Sequence, residues 1–225
     1  MRPLKSYSSI VFDCDGVLLD SNQIKSDCFR SVALPWGVDS ANALYSYHLD
    51  NGGVSRYLKF SYFFEKILPN YVPNARPGID GPDYEQLLEN YSALVWDQLM
   101  SCSVARGIDS LKKLSPYSSW SIASGGDQVE LRQLFDARGL IHYFDGGIFG
   151  SPDSKDVILS RAIQHSIIRF PALFLGDSKY DYEAATKVGI DFLFVSDWTD
   201  VEDWRQWVSS NGIPHVRSIA HMLLL

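Results

Sequence analysis

One short stretch decides the fold of this chain: Ser9-Ile10-Val11-Phe12-Asp13-Cys14-Asp15-Gly16. Its first half is an apolar run, which predicts a buried strand, and the run ends abruptly in acidic residues. Three similar runs follow at residues 119–123, 172–175 and 192–195, and each is followed by Ser, Gly or Asp. Strands that are apolar throughout indicate a sheet covered on both faces, and therefore a parallel sheet.

Helical patterns separate the later strands. They cover residues 127–138, 154–168 and 180–188, with Ser154 as the expected N-cap of the second helix and a glycine after the first and third. Strands that alternate with helices predict an α/β fold with a Rossmann-like, doubly wound parallel sheet.

The segment between the first two strands breaks this alternation. It contains no convincing strand and instead favours four helices, at residues 21–34, 40–48, 54–67 and 84–100, with a Pro- and Gly-rich loop at 69–82. We therefore predict a catalytic core of residues 1–19 and 103–225 and an α-helical module of residues 20–102 inserted after the first strand.

Bulk properties restrict the class of partner. The chain has 225 residues, a formal net charge of −7 and a pI of about 5.1, which argues against nucleic acid or an anionic membrane as a partner. We expect a cytoplasmic protein, because residues 1–9 lack the apolar core of a signal peptide and no apolar run has membrane-spanning length. A monomer or weak homodimer is expected. Neither a disulfide framework nor a zinc site is indicated by the three scattered cysteines, Cys14, Cys28 and Cys102.

Polar residues follow three of the predicted strands. Open α/β sheets bind ligands at the carboxyl ends of their strands, where Asp13, Ser124 and Asp177 fall. Asp13 and Asp15 point to the same side of an extended chain and repel one another unless a cation or a proton intervenes. Mg²⁺ suits such carboxylates; one can then attack phosphorus while the other transfers a proton, and Gly16 permits a sharp turn beside the phosphate. The alternative is an acidic turn without a catalytic role.

Other residues complete the candidate site. Ser124 precedes Gly125 and a helix, so its hydroxyl and the free N–H groups of the turn can hold phosphate oxygens, or it can simply begin the helix. Lys155 lies in a first helical turn, where the helix dipole disfavours a cation. We therefore expect its charge to be balanced by a bound phosphoryl group or by Asp13; the alternative is a solvated lysine. Asp177 is placed to bind a metal ion, and Asp181 to orient a metal-bound water or to pair with Lys155.

Together these motifs resemble the haloacid dehalogenase superfamily of phosphohydrolases. The resemblance covers residues 6–20 and 103–195 and rests on residues 12–21 (Phe-Asp-Cys-Asp-Gly-Val-Leu-Leu-Asp-Ser), 122–126 (Ile-Ala-Ser-Gly-Gly), Lys155, and 175–178 (Leu-Gly-Asp-Ser) with Asp181. It implies that Asp13 is the nucleophile and a metal ligand, and that Asp15 is the acid/base with a metal-binding backbone carbonyl. It also implies substrate contacts at Gly16 and Gly125, phosphoryl binding by Ser124 and Lys155, Mg²⁺ binding by Asp177 and Asp181, and a C1-type helical cap formed by the insert.

The resemblance also distinguishes phosphate chemistry from the other activities of the family. The family's dehalogenases and phosphonate-cleaving members lack an aspartate at the position of Asp15, which leaves phosphate chemistry. Residues 53–56 (Gly-Val-Ser-Arg) are similar to a stretch in the caps of β-phosphoglucomutases, where the arginine grips a second phosphate; Arg56 can do the same or be a surface arginine.

We therefore predict a Mg²⁺-dependent phosphomonoester hydrolase that acts on a small phosphorylated metabolite, such as a sugar phosphate, through an aspartyl-phosphate on Asp13. The alternatives are a β-phosphoglucomutase-like phosphohexomutase and a non-catalytic binding protein that keeps the fold.

Overall fold

The computed structural model describes residues 2–224 and is built around one sheet of six parallel strands. The strand order across the sheet is β3-β2-β1-β4-β5-β6, with every neighbouring pair parallel. The strands are β1 (Ser9–Phe12), β2 (Ser119–Asp127), β3 (Gly147–Ser151), β4 (Ala172–Gly176), β5 (Asp191–Val195) and β6 (His215–Val216). The predicted doubly wound α/β class is confirmed.

Ten α-helices connect and flank the strands among the described residues. Five of them lie between β1 and β2: α1 (Asn22–Ala33), α2 (Val38–Asp50), α3 (Arg56–Tyr62), α4 (Leu68–Tyr71) and α5 (Tyr84–Ser101). The others are α6 (Ile108–Leu114), α7 (Gln128–Ala137), α8 (Lys155–Gln164), α9 (Lys179–Lys187) and α10 (Trp204–Ser210).

The apolar runs of the strands are explained by burial on both faces of the sheet. In β1, Val11 packs with residues of α8 and α9, whereas Ile10 and Phe12 pack on the opposite side with residues of α6 and α7. All three side chains are fully buried. Because successive strand residues point to opposite faces, two covered faces require consecutive apolar residues rather than an alternating pattern.

The helices α1–α5, which we call the helical insert, pack mainly on one another, with α1 against both α2 and α5. The predicted helix at 54–67 is in fact interrupted: α3 passes through a π-helical turn at Phe63–Ile67 into the short α4. Pro69 lies in the first turn of α4, where a missing N–H is tolerated, so the helix continues into the segment expected to be a loop. The division of the chain into two domains stays a prediction.

Several predicted boundaries differ from the structure. The second strand continues past residue 123 to Asp127, through a shift in register against β3. The helix expected at 154–168 ends at Gln164, and Ser166 has a positive φ of 58° that no helix continues through. Ser154 precedes that helix, but its hydroxyl donates to Asp156 and does not cap the backbone. The structure contains no helix long and apolar enough to cross a membrane within residues 2–224.

The insert is fastened to α7 of the core by a bidentate ion pair. The two terminal nitrogens of Arg56 donate to the two carboxylate oxygens of Glu130 at 3.0 and 2.6 Å, and Arg56 also lies over the ring of Tyr91. Beside it, the hydroxyl of Tyr57 donates to Asp127 at 2.7 Å. The Arg56 side chain is only 5% exposed, so the guanidinium has exchanged water for these partners.

We expect Glu130→Gln to lower the free energy of unfolding by about 1–3 kcal/mol, since a buried guanidinium loses its charged partner. Chemical denaturation measures this change, and amide hydrogen exchange should rise locally in α3. Asp80→Asn, which removes the partner of Arg76 in an exposed pair, is the matched control and should change neither quantity. Equal effects of the two variants would contradict a fastening role.

Candidate active site

The site is assembled by the register of three adjacent strands. Phe12 of β1 lies opposite Ile122 of β2 on one side and Leu175 of β4 on the other. The backbone N–H of Asp13 extends this pairing by donating to the carbonyl of Leu175 at 2.8 Å. Asp13 and Asp177, which follow β1 and β4, therefore lie close together at one edge of the sheet. Ser124 was expected to follow the second strand, but it lies within β2, two residues beyond Ile122.

A buried lysine bridges two of the carboxylates. Lys155 Nζ donates to Asp13 Oδ2 at 2.7 Å and also forms an ion pair with Asp181. The Lys155 side chain is 1% exposed, and burial alone would lower its pKa, but the charges of Asp13 and Asp181 outweigh burial and raise it. Of the two roles expected for Asp181, pairing with Lys155 is the one observed.

Asp177 is held in place from the insert and by the chain turn after β1. Asn22, the first residue of α1, donates its side-chain amide to Asp177 Oδ2 at 2.8 Å. Gly16 has a φ of +73°, and a Cβ on this residue would lie 2.0 Å from Asp177 Oδ2. Glycine at this position therefore serves two needs, a left-handed turn and room for the Asp177 carboxylate.

Asp13, Asp177 and Asp181 each offer a carboxylate oxygen within 4.8 Å of the others. All three residues are buried. Burial raises the pKa of both Asp13 and Asp177, and the negative charge of Asp181 raises both further, while Lys155 offsets part of the effect. Clustered carboxylates with a deficit of positive charge suit a hard divalent cation that prefers oxygen ligands, so the donor set fits Mg²⁺.

Asp15 is separated from that cluster. Its carboxylate accepts hydrogen bonds from Ser21 Oγ at 2.6 Å and from Lys25 Nζ at 2.5 Å. Burial would raise the pKa of Asp15, but Lys25 and Ser21 together lower it below the ordinary value. The side chain of Asp15 is therefore paired with Lys25 of α1, and the metal-binding role expected of its backbone carbonyl stays a prediction.

A cleft of about 730 Å³ opens between the insert and the sheet edge, and both Asp13 and Asp15 line it. Gly125 and Gly53 meet at its side: a Cβ on Gly125 would lie 2.2 Å from the carbonyl oxygen of Gly53. Ser124 is fully buried, and its hydroxyl oxygen accepts the N–H of Gly126 at 3.0 Å. The insert is therefore closed over the strand ends.

The predicted contact of Arg56 with substrate stays a prediction. Arg56 lines the cleft, but its guanidinium is engaged by Glu130 and by Ser92. An anionic group of a ligand would have to compete with a carboxylate that already makes two hydrogen bonds.

A second buried lysine faces the cleft from α3. Lys59 is 1% exposed, its Nζ donates to His48 Nδ1 at 2.8 Å, and no carboxylate of the described side chains lies within 4.0 Å of it. Burial lowers the pKa of Lys59 to about 7. Among the nearby charges, Lys25 and Lys155 also lower this pKa, whereas Asp15 and Asp200 raise it.

Sequence reasoning missed the partners Asn22, Glu130 and Ser178. Ser178 and Asp181 form a reciprocal capping box at the start of α9, so one carboxylate both caps a helix and pairs with Lys155. The Ser-x-x-Asp spacing was a detectable signal for this role. Lys59 also had a signal, since it lies beside Phe60 and four residues before Phe63 on the buried face of a predicted helix.

A family model described as haloacid dehalogenase-like hydrolase matches residues 10–195. Comparison with curated proteins gives no significant match.

Solved structures share the whole fold at low identity. A haloacid dehalogenase-like hydrolase from Streptococcus pneumoniae is 20% identical with a TM-score of 0.62, covering 97% of this chain and 98% of that one. A β-phosphoglucomutase from Clostridium difficile is 14% identical with a TM-score of 0.71, covering 96% and 92%. A protein from Haemophilus somnus described as a predicted phosphoglycolate phosphatase is 15% identical with a TM-score of 0.74, covering 97% of each chain.

Lys59→Met should stabilise the protein, because the variant keeps the length of the side chain and removes a buried charge that no carboxylate compensates. We expect the free energy of unfolding to rise by a few kcal/mol near or below pH 7. This is on the order of one kcal/mol for each unit by which folding lowers the pKa of Lys59. Between a pH of about 7 and 10.5, unfolded wild type binds a proton that the folded state lacks, so wild-type stability rises with pH and the advantage of the variant shrinks. Denaturation at several pH values measures this; Lys66→Met, an exposed change in the same insert, is the control. A wild type more stable than Lys59→Met at neutral pH would contradict the prediction.

Proposed function

This chain belongs to the haloacid dehalogenase-like hydrolase family, and we propose that within it the chain is a Mg²⁺-dependent phosphomonoester hydrolase acting on a small phosphorylated metabolite. The observation that carries the proposal is Asp13, whose Oδ2 is held by Lys155 at 2.7 Å beside Asp177 and Asp181. A buried carboxylate that is fixed in this way and lines a cleft has the position that a nucleophile toward phosphorus requires.

Asp13 performs the first step. One of its carboxylate oxygens forms a bond to phosphorus as the bond from phosphorus to the leaving oxygen breaks, which yields an aspartyl-phosphate and an alcohol. Both oxygens are oriented in the structure, because Asp13 Oδ1 accepts the N–H of Cys14 at 2.7 Å and Oδ2 accepts from Lys155 at 2.7 Å. Fixed orientation of the attacking group provides a large part of the rate enhancement.

Asp15 moves the proton. It donates one to the leaving oxygen in the first step and takes one from the attacking water in the second, which releases inorganic phosphate and restores Asp13. Its pairing with Lys25 and Ser21 keeps Asp15 ionised in the structure, so it needs a proton from solvent before the first step. Lys25 thereby sets how readily the acid form is reached.

Lys155 and Ser124 neutralise the phosphoryl oxygens. The Lys155 ammonium stays charged under all ordinary conditions, because its pKa is raised. The buried Ser124 hydroxyl and the backbone N–H groups near Gly125, which lines the cleft, supply neutral donors to the phosphoryl group. Such preorganised donors stabilise charge that develops in the transition state.

A divalent cation has a place at the carboxylates of Asp13, Asp177 and Asp181, with the backbone carbonyl of Asp15 as the further ligand that the family resemblance implies. When bound, Mg²⁺ supplies the positive charge that keeps these carboxylates ionised and offsets the charge of the phosphoryl group. The residues above make the covalent bonds and transfer the protons.

The size and closure of the cleft support a small substrate. The volume of about 730 Å³ falls within the range of pockets that enclose small molecules. The contact between Gly53 and Gly125 limits access of bulk water to Asp13 and hence competing hydrolysis. Two similar structures are described as a putative and a predicted phosphoglycolate phosphatase, names that denote a compact phosphate ester as substrate.

A phosphohexomutase is the second candidate. It is favoured by the similarity of residues 53–56 to the caps of β-phosphoglucomutases and by the structural likeness to one of them. A mutase must hold a second phosphate, and the guanidinium of Arg56 is engaged by Glu130 instead. We therefore rank the hydrolase first.

Asp13→Asn should lower kcat more than about a thousandfold, because the amide cannot form the acyl-phosphate. Release of inorganic phosphate from p-nitrophenyl phosphate and a panel of phosphometabolites, in Mg²⁺, measures this. Chelation of the metal should abolish turnover and added Mg²⁺ restore it. Acid-quenched protein should retain labelled phosphate on wild type but not on the variant.

Asp136→Asn, an exposed change on α7, is the matched control and should behave as wild type. Isomerised sugar phosphate without stoichiometric phosphate release would establish the mutase instead. A wild-type protein that turns over no member of the panel would favour a non-catalytic binding protein.

Lys25→Met should move the pH dependence governed by Asp15 to higher pH. The ammonium of Lys25 lowers the pKa of Asp15, so its removal raises that pKa and keeps the acid form at higher pH. Profiles of kcat/KM against pH for p-nitrophenyl phosphate measure the shift, with Lys66→Met as the control. An unchanged profile would show that Asp15 does not act through its pairing with Lys25.

A further inference from the structure

The cationic side chains of the cleft differ in how they are compensated. Lysine and arginine line it at four positions, Lys25, Arg56, Lys59 and Lys179. Lys25 pairs with Asp15, Arg56 with Glu130 and Lys179 with Asp203. Within the described side chains, Lys59 is the member of this set that has no carboxylate within 4.0 Å.

Lys59 is nevertheless held firmly. Its Nζ lies 5.3 Å from the centre of the Phe29 ring, and the same ring packs against the His48 imidazole with centroids 4.4 Å apart. Phe29 is buried, and it also packs against Phe60 and Tyr91. The ammonium and the imidazole therefore share one rigid aromatic support on the insert side of the cleft.

The Lys59–His48 pair offers donors and no acceptor. Burial lowers the pKa of His48 well below its ordinary value, and the charges of Lys59 and Lys25 lower it further, so the ring is neutral. Its Nδ1 accepts from Lys59, and the neutral ring then carries its hydrogen on Nε2. A group that complements this pair must accept hydrogen bonds, and an anion suits best because it also balances the ammonium.

We propose that Lys59 and His48 bind a carboxylate on the leaving group, so that the preferred substrates are phosphate monoesters of hydroxy acids. This inference rests on the proposed phosphatase activity. Asp13 and Lys59 line the same cleft, so one compact ligand can reach both. The phosphoryl group then lies at the strand ends and the acid group lies under α3.

A single negative charge matches the site better than a second phosphate. When protonated, Lys59 supplies one positive charge that no carboxylate of the described side chains within 4.0 Å compensates, and His48 is neutral. Arg56, which suits a phosphate dianion by its geometry, is occupied by Glu130. Asp200 also lines the cleft and would repel surplus negative charge.

The test compares substrates that differ only at the acid group. Each acid is paired with the alcohol that carries CH₂OH in place of its carboxylate. 3-Phosphoglycerate is compared with glycerol 3-phosphate, and 6-phosphogluconate is compared with glucitol 6-phosphate. A hexitol bisphosphate represents the second-phosphate alternative. For at least one pair we expect kcat/KM to favour the acid by about tenfold or more, the strength of a charge-assisted hydrogen bond.

Lys59→Met should lower kcat/KM for that acid by about 10- to 100-fold, mainly through KM, and change the matched alcohol by less than about threefold. Lys59→Arg should retain part of the preference, since it keeps the charge. Lys66→Met should leave both substrates unaffected. A merely structural role for Lys59 would change acid and alcohol alike.

A binding measurement tests the carboxylate site independently of the proposed phosphatase activity. The affinity of Asp13→Asn for each acid and its matched alcohol, measured by calorimetry, needs no turnover. Tighter binding of an acid, lost in the Asp13→Asn, Lys59→Met double variant, supports the carboxylate site even if no ester is hydrolysed. Equal affinity for acid and alcohol, or a preference for the bisphosphate that Lys59→Met removes, would overturn it while leaving p-nitrophenyl phosphate hydrolysis intact.

Discussion

The bridge from Lys155 to Asp13 and Asp181 is the interaction on which the rest of the site depends. Three buried carboxylates within 4.8 Å of one another repel strongly, and this ammonium is the buried cation that two of them share. The bridge also ties the first turns of α8 and α9 to the end of β1, so the chain's early and late halves are joined at one atom. An unpaired buried charge is costly, which makes loss of any member of the bridge a structural as well as a chemical change.

The sequence predicted the site residues of the core well and those of the insert poorly. Asp13, Ser124 and Asp177 were identifiable as neighbours because parallel strands place their carboxyl ends together, and the apolar runs marked closely where β1 and β4 stop. The strand at 147–151 escaped notice because Gly147 and Gly150 dilute its apolar signal, and β6 has only two residues. The extension of β2 to Asp127 depends on pairing with β3, which no local pattern reveals.

The ion pairs around the cleft could not be predicted from local sequence patterns. Asp15 with Lys25 and Arg56 with Glu130 each join segments whose proximity is fixed by how the insert packs, not by spacing along the chain. A lysine among apolar residues in the sequence, such as Lys59, indicates either a solvated side chain or a charged residue on the apolar face of a helix. Its actual environment combines near-complete burial with a histidine partner, and that combination is decided by α2 and α3 together.

The meeting of Gly53 and Gly125 has a consequence for how this architecture diversifies. The seal over the reacting group is formed by main chain against main chain, with no side chain of either residue taking part. Substitutions on the insert side of the cleft that spare Asn22, Lys25 and Arg56 can therefore change the residues that a ligand touches without breaking this contact. The preference for a substrate can therefore change during evolution while the reacting carboxylates keep their positions.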